Sequence, residues 1–283
     1  MNKMTYGELY RLALTELNGF TEFASTEATM LFRHCFGLDR IGITLNSDKV
    51  ADENTVELFF ECIEKRKEHI PVQYILGKSI FYDYDFIVGE GVLIPRPETE
   101  MLVEEAVAFI KDKGIKNPVV YDLCSGSGCV GISIAKLIPE AKVYLFEKSK
   151  VAINFIRRNI ELNEVRNAEV IEYDIFCGIP QNIPCPDAVV SNPPYIPSND
   201  ISELTDEVKR EPVMALDGGA DGLDFYHCIC NKWLKCTEKE SFFALEFGIY
   251  QSEDVLKIFS RVSDNAFVLK DFNGIDRVIC GNV

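Results

Sequence analysis

Two stretches of this sequence carry residue types and spacings suited to chemistry. The first, "DLCSGSGCVG" (residues 122–131), sets glycines at 126, 128 and 131. Such a turn lets a ligand approach the backbone, and the helix that follows offers free N–H groups to a carboxylate or phosphate. Gly126, Gly128 and Gly131 match G-x-G-x-x-G literally, so a nicotinamide dinucleotide and S-adenosylmethionine are both candidate ligands. Asp122 separates the two: a carboxylate entering the turn repels a pyrophosphate but pairs with the ammonium of a methionine moiety. Glu147 follows about 20 residues later, where an acid accepts from both ribose hydroxyls. Asp174 and Ile175 can flank an adenine, the acid accepting from the exocyclic amine and the apolar side chain covering the ring. The expected cofactor is S-adenosylmethionine.

The second stretch is "SNPPYIPS" (residues 191–198). Its paired prolines can neither continue a helix nor sit in a central strand, so they stop the buried strand "PDAVV" abruptly. The turn is rigid and rich in carbonyls. A planar amide or amino-purine N–H₂ can donate to Asn192 Oδ1 and to the Pro193 carbonyl while its face lies on Tyr195. Those acceptors aim the nitrogen at a methyl sulfonium and draw electron density onto it. No strong base is needed, because the proton becomes acidic as the nitrogen gains positive charge, so positioning and desolvation supply most of the rate. Taken singly, each strand-end acid reads as a solvated residue and each turn as a turn without a ligand. Three acids at successive strand ends favour a cleft.

The elements that position these residues alternate. "PVVYDL", "KVYLFE", "AEVIEYD", "DAVVSN" and "SFFALEFG" read as strands, separated in part by the helical "CVGISIAKLI", "KVAINFIRRNIELN" and "DGLDFYHCICNKWLK". This predicts an α/β domain with a mainly parallel sheet and ligands at the carboxyl ends of its strands. "AFVLKDF" and "DRVICGN" are too close for a crossover helix and predict an antiparallel edge hairpin. Before this domain the chain reads as helices. Thr5 and Glu8 have capping-box spacing at the head of one, a second covers about Ser25–Phe36 with Phe36 inside, and a third about Asp52–His69. "SIFYDYDFIVGEGVLIP", with a Gly-Glu-Gly turn, predicts a hairpin linker, which sets the domains at 1–90 and 91–283.

Composition narrows the partners. The 283 residues carry 29 Lys+Arg against 45 Asp+Glu, a net charge of −16 that opposes attraction to phosphate backbones or anionic lipid. No apolar run approaches the length of a membrane span, and the start lacks a signal-peptide pattern, so a cytoplasmic chain is expected. The ten cysteines lie singly, without metal-ligand spacing, and no metal is expected. Cys228 and Cys230 read as helix packing. Direct nucleic-acid binding is not expected, and the chain is taken as a monomer.

With "NPPY" and "DLCSGSG" in place, the sequence resembles N-methyltransferases of planar nitrogens, both adenine-N6 and protein-glutamine enzymes. "PVQYILG" (71–77), "LIPRPETE" (93–100), "EPVMALDGGADGLDFY" (211–226), "ALEFG" (244–248) and "DRVI" (276–279) resemble more narrowly the PrmC/HemK family of peptide chain release factor N5-glutamine methyltransferases. The resemblance covers nearly the whole chain. It implies a seven-stranded Rossmann-like class I methyltransferase domain after a small helical domain, and methylation of the glutamine in the Gly-Gly-Gln motif of class I release factors. It carries the cofactor loop onto Cys124, Ser125, Gly126, Ser127 and Gly128, the ribose acid onto Glu147 and the adenine flank onto Ile175. It carries the amide site onto Asn192, Pro193, Pro194 and Tyr195, of which Asn192, Pro193 and Tyr195 are the expected catalytic residues; Asn192 also counts among the cofactor contacts. Cys124 stands where glycine is usual and Glu147 where aspartate is usual, and a β-carbon at 124 disfavours some positive-φ geometries. Arg96, Thr99 and Glu100 receive no chemical step, Arg96 reading as an ion-pair partner. The competing readings are an adenine-N6 methyltransferase and a noncatalytic scaffold of the same fold. The helical segment is the expected docking element for the release factor.

Overall fold

The computed structural model describes residues 3–235 and 240–283. The chain divides into two compact units, one running to Gly77 and taking in Thr205–Arg210, the other comprising Lys78–Leu204 and Glu211–Val283.

In the first unit, α1 (Tyr6–Leu17) begins at the expected capping box: Thr5 Oγ1 accepts from the Glu8 N–H and the Glu8 carboxylate accepts from the Thr5 N–H at 2.8 Å. Then come α2 (Ala24–Phe36), α3 (Arg40–Leu45), α4 (Glu53–Lys67) and α5 (Val72–Leu76). Leu9 and Ala13 of α1, Leu31 and Phe32 of α2 and Phe59 of α4 meet in one apolar core, as their helical spacing demands. Phe36 lies at its rim, half-buried. The spacing did not show α3 and α5, which at six and five residues are too short to display a helical period.

Arg66 lies inside this unit. Its Nε donates to Glu27 Oε2 at 2.7 Å, and its Nη2 donates to Glu27 Oε1 at 3.2 Å and to Glu207 Oε2 at 2.6 Å. Arg210 Nη2 adds a bond to the Glu68 carbonyl at 2.6 Å. Charge pairing thus fastens residues 205–210, remote in sequence, to the helices.

The second unit opens with the hairpin β1 (Lys78–Phe81) and β2 (Tyr84–Ile87). Its turn is Tyr82–Asp83, both at positive φ, rather than Gly-Glu-Gly; Phe81 pairs directly with Tyr84. Phe81 and Phe86 are buried in the core of this unit, so the hairpin belongs to it and the division falls at Gly77/Lys78, not near residue 90. A further helix that went unanticipated, α6 (Glu100–Asp112), buries Leu102, Val103, Ala106 and Ile110. A 3₁₀ turn, Pro97–Thr99, leads directly into it.

β3 (Val119–Leu123), α7 (Cys129–Leu137), β4 (Lys142–Glu147), α8 (Lys150–Leu162), β5 (Ala168–Glu172), β6 (Ala188–Ser191), α9 (Asp224–Cys228), β7 (Phe242–Glu246), α10 (Ser252–Phe259), β8 (Phe267–Lys270) and β9 (Asp276–Asn282) complete it. The seven-stranded sheet runs β5-β4-β3-β6-β7-β9-β8. Its first five strands are parallel and β9 is antiparallel to both neighbours, so the expected C-terminal hairpin does form one edge. Both faces are covered. Val120, Val143 and Ala188 join the core on one face, and Tyr121, Phe146 and Val189 that on the other. The α9 segment continues as a π-helical turn, Ile229–Leu234; Cys228 at the end of α9 and Cys230 in the turn are packed inside, their S–H groups donating to the carbonyls of Ile175 and Ile258.

Replacing Arg66 by Met leaves Glu27 buried without its counter-charge and should lower the unfolding free energy of the helical unit by about 3 kcal/mol. Urea unfolding of the full chain measures this, and adding Glu27→Gln should recover part of the loss. A change below about 1 kcal/mol would show that the pair behaves like an exposed one.

Candidate active site

β3 and β6 pair in parallel with Leu123 opposite Ser191, and the Ser191 hydroxyl donates to the Leu123 carbonyl at 2.6 Å. The loops leaving these strands therefore start side by side at the carboxyl end of the sheet. A cavity of about 330 Å³ lies there. Asp122, Cys124, Ser125, Gly126 and Ser127 line one part of it, Glu147, Asp174 and Ile175 another, and Asn192 and Pro194 a third.

The period of two along β3 puts Asp122 on the same face as Val120, beneath α7. There its Oδ2 accepts from the Gly131 N–H at 3.0 Å. A β-carbon on Gly131 would lie 2.6 Å from Leu145 Cδ2 and 2.9 Å from Asp122 Oδ2, so the third glycine serves close packing of helix on strand. Burial pushes the Asp122 carboxyl up to about 7, against the Gly131 and Ser125 hydrogen bonds that favour the charged form. Cys124 does take a positive φ, +58°, despite its β-carbon. An L side chain in that region costs on the order of 1 kcal/mol. The glycine-type geometry of the loop is thus kept.

Glu147 reaches the loop from the end of β4. Its Oε2 accepts from the Gly126 N–H at 2.9 Å and its Oε1 from the Ser149 N–H at 2.7 Å. Burial raises its carboxyl above the ordinary range, and the backbone donors oppose that rise. Neither Asp122 nor Glu147 has an ion-pair partner among the described residues. Asp174 differs. Lys148 Nζ sits 2.8 Å from its carboxylate and holds it below the usual range, while its Oδ1 caps the next turn by accepting from the Phe176 N–H. The Ile175 carbonyl accepts from Trp233 Nε1 at 2.8 Å, anchoring that segment to the aromatic core.

Gly128, Pro193 and Tyr195 do not line the cavity. Gly128 caps α7. The Tyr195 carbonyl accepts from Gln251 Nε2 at 2.9 Å, and burial raises its hydroxyl. The "LDGGADGL" segment holds this loop through backbone bonds from Ile196 to Leu216 and from Gly218 to Ile196. A β-carbon on Gly218 would come within 2.8 Å of Tyr195 Cα, so the two backbones need that glycine to meet.

Other residues of the site escaped the sequence reading. Thr99 Oγ1 accepts from Asn192 Nδ2 at 3.1 Å and donates to Glu246 Oε2 at 2.5 Å. These partners are 93 and 147 residues away from Thr99 in sequence, and nothing local announces them. Phe176 and Phe225 meet edge to face at 5.0 Å and both line the cavity. Asn159 on α8, fully buried, donates to the Ser127 carbonyl at 2.9 Å and accepts from the Ile87 N–H at 2.6 Å, tying the glycine loop to the end of the hairpin. Arg96 is indeed an ion-pair partner: it pairs with the buried Glu211, whose other oxygen accepts from the Ile94 N–H at 3.0 Å. Glu100 accepts from the Tyr82 N–H at 2.8 Å, a contact to the hairpin turn.

Residues 8–77 match the PrmC N-terminal domain family, and residues 99–218 match the methyltransferase small domain family. The chain is 39% identical over 264 residues to the release factor glutamine methyltransferase of Geobacter sulfurreducens, covering 93% of this chain and 90% of that one. It is 36% identical to the protein of that name from Thermodesulfovibrio yellowstonii, over 91% of this chain and 92% of that one. Among solved structures, the T. thermophilus 16S rRNA N2 G1207 methyltransferase in complex with AdoMet and guanosine superimposes with a TM-score of 0.51. It is 15% identical, covers 72% of this chain and 49% of its own, and shows the shared fold. The site has the Asp122 and Glu147 carboxylates on one side and an oriented amide on the other, and the likeness extends over more than nine-tenths of the chain: it belongs to the release factor glutamine methyltransferase family.

Proposed function

We propose that this chain transfers the methyl group of S-adenosylmethionine to the side-chain amide nitrogen of the glutamine in the Gly-Gly-Gln motif of class I peptide chain release factors. The observation that carries the reading is the orientation of Asn192. Its Nδ2 is committed to Thr99, which leaves Oδ1 as the acceptor presented to the cavity. An acceptor there suits a substrate that offers N–H₂.

The residues present fit the cofactor. Asp122 is buried and has no counter-cation among the described residues, so an ammonium would satisfy it. Glu147 keeps lone pairs for two ribose hydroxyls beyond those it gives to Gly126 and Ser149. Ile175 with Phe176 and Phe225 supplies apolar surface for a purine. When bound, S-adenosylmethionine supplies an electrophilic methyl carbon on a positively charged sulfur. The chain's part is then to hold the glutamine nitrogen. Asn192 Oδ1 takes one amide hydrogen, which orients the nitrogen and raises its electron density, and the apolar walls exclude competing water. Transfer would exchange the sulfur–methyl bond for a nitrogen–methyl bond and leave a neutral thioether, and the nitrogen, acidic once it carries positive charge, would give its surplus proton to solvent, so the site needs no strong base.

The helical unit is assigned to docking of the release factor. Ile41 and Leu45, four residues apart on α3, are 69% and 77% exposed and form an apolar pair on its outer face. One glutamine side chain is a small target, and selective protein recognition commonly needs roughly 800 Å² per partner.

Asn192→Ala should lower kcat on intact release factor about a hundredfold with little change in S-adenosylhomocysteine affinity. Labelled methyl transfer measures it, with DNA as a parallel substrate. Wild-type turnover in the variant, or label on DNA and none on the release factor, would sink the reading. Cofactor binding should also release protons near pH 6.5. Asp122, pushed up to about 7 in the free protein, is partly protonated there, and an adjacent ammonium favours the carboxylate. Calorimetry in buffers of different ionisation enthalpy reads the release, which Asp122→Asn should abolish; an unchanged release would place the ammonium elsewhere. For docking, the double change Ile41→Ser with Leu45→Ser should raise KM for the intact factor about tenfold, yet leave a short Gly-Gly-Gln peptide unaffected. Equal KM values for the intact factor would assign recognition to other surfaces.

A further inference from the structure

Asn192, Thr99 and Glu246 form a chain that runs from the cavity into the core. Thr99 is 2% and Glu246 1% exposed, and the links are 3.1 Å and 2.5 Å long. A hydroxyl has one hydrogen to give. An ionised Glu246 can only accept, so the Thr99 hydrogen goes to it, and the Thr99 oxygen is left to accept from Asn192. The amide must then turn its N–H₂ toward Thr99 and its oxygen toward the cavity. Protonation of Glu246 removes this constraint. The acid can donate its own hydrogen to Thr99, the Thr99 hydroxyl can donate to the amide oxygen, and the amide can turn over. It would then meet a substrate N–H₂ donor to donor.

We propose that Thr99 and Glu246 are positioning residues, through which the charge on Glu246 sets the edge of the Asn192 amide that faces the substrate and makes methyl transfer depend on pH. The inference rests on the reading of Asn192 as the acceptor for the substrate amide.

The surroundings of Glu246 set the range in which this acts. Glu98 and Arg96 face it from the segment ahead of α6, Arg277 from β9, Tyr226 from α9, Tyr195 from the loop after β6 and Cys129 from the start of α7. Burial is the largest influence and outweighs the Thr99 bond and the arginines, pushing the carboxyl up to about 7. Arg277 is itself engaged, donating to Asp271 at 3.1 Å. The Tyr226 hydroxyl donates to the backbone carbonyl of Glu246 at 2.9 Å, which fixes the end of β7 but leaves the carboxylate to Thr99. The sign follows: the amide is locked above the titration of Glu246 and released below it, so the rate rises with pH.

The test is kcat and KM on intact release factor from about pH 5.5 to about 9, for the wild type, Thr99→Val, Thr99→Ser, Glu246→Gln and Asn192→Ala. S-adenosylhomocysteine affinity serves as the control for the cofactor side. Wild-type kcat should climb about tenfold across an inflection near 7. Thr99→Val should lower kcat about tenfold at pH 8 and flatten the profile, with cofactor affinity held within about twofold. Thr99→Ser, which keeps the hydroxyl, should recover most of the rate and the inflection. Glu246→Gln should remove the inflection. Wild-type kcat and profile in Thr99→Val would overturn the relay, as would an inflection retained in Glu246→Gln, which would belong to Asp122. Full turnover in Asn192→Ala would overturn the acceptor reading and the relay with it, whereas a slow Asn192→Ala beside an unaffected Thr99→Val removes the relay alone. Should Glu246→Gln fail to fold, the side-chain N–H₂ resonances of Asn192 in the wild type decide: they must shift through an inflection near 7, and their invariance would refute the proposal.

Discussion

Everything in the active site depends on one register, the parallel alignment of β3 with β6 that sets Leu123 opposite Ser191. A slip of one residue would carry Asp122 to the opposite face of the sheet, away from the Gly131 N–H, and would separate Asn192 from the glycine loop. The aligned residues are 68 positions apart, so no local preference can set the register. Side chains packed on both faces do so. Val120 and Ala188 are enclosed on one face and Tyr121 and Val189 on the other, so any slip exchanges two well-filled layers at once.

The two units handle buried charge differently. In the helical unit, Arg66 is enclosed but meets Glu27 and Glu207, and its pairing fastens the Thr205–Arg210 segment there. In the catalytic unit, Asp122 and Glu246 are buried and Glu147 partly so, each hydrogen-bonded to a backbone or hydroxyl donor, and desolvation raises all three carboxyls even where, as at Glu246, arginines stand nearby. Such groups weaken the fold when ionised. Their value lies in what they can still bind or orient: a carboxylate lacking its cation invites one from a ligand, and a carboxylate that only accepts dictates the direction of the hydrogen bonds leading to Asn192.

Much of this was legible because periodicity and turn chemistry are local. The α1 capping box, the alternating strands and helices, the antiparallel last pair and the two loops at neighbouring strand ends all follow from short stretches of residues. The reading failed where several signals shared one stretch. Gly-Glu-Gly looked like the hairpin turn, yet Tyr82 and Asp83 make it at positive φ, an arrangement with no glycine to announce it. The α6 segment, Glu100–Asp112, drew no helix assignment although its apolar residues recur at helical spacing. Cys124 keeps a glycine-like backbone, φ +58°, at the cost its β-carbon imposes.

By itself, the sequence determined the chemical parts: a glycine turn headed by an acid, acids at successive strand ends, and an amide followed by paired prolines. The turns are contiguous strings, and each acid is marked by the local strand that precedes it. Tertiary structure decided how those parts are aimed. It took Tyr195 and Pro193 out of the cavity lining, brought Phe176 and Phe225 into it, and put Thr99 between Asn192 and Glu246. The physical reason is that a hydrogen bond's direction depends on which atoms meet across the core. Thr99 meets partners 93 and 147 residues away only once α6, β6 and β7 have packed together.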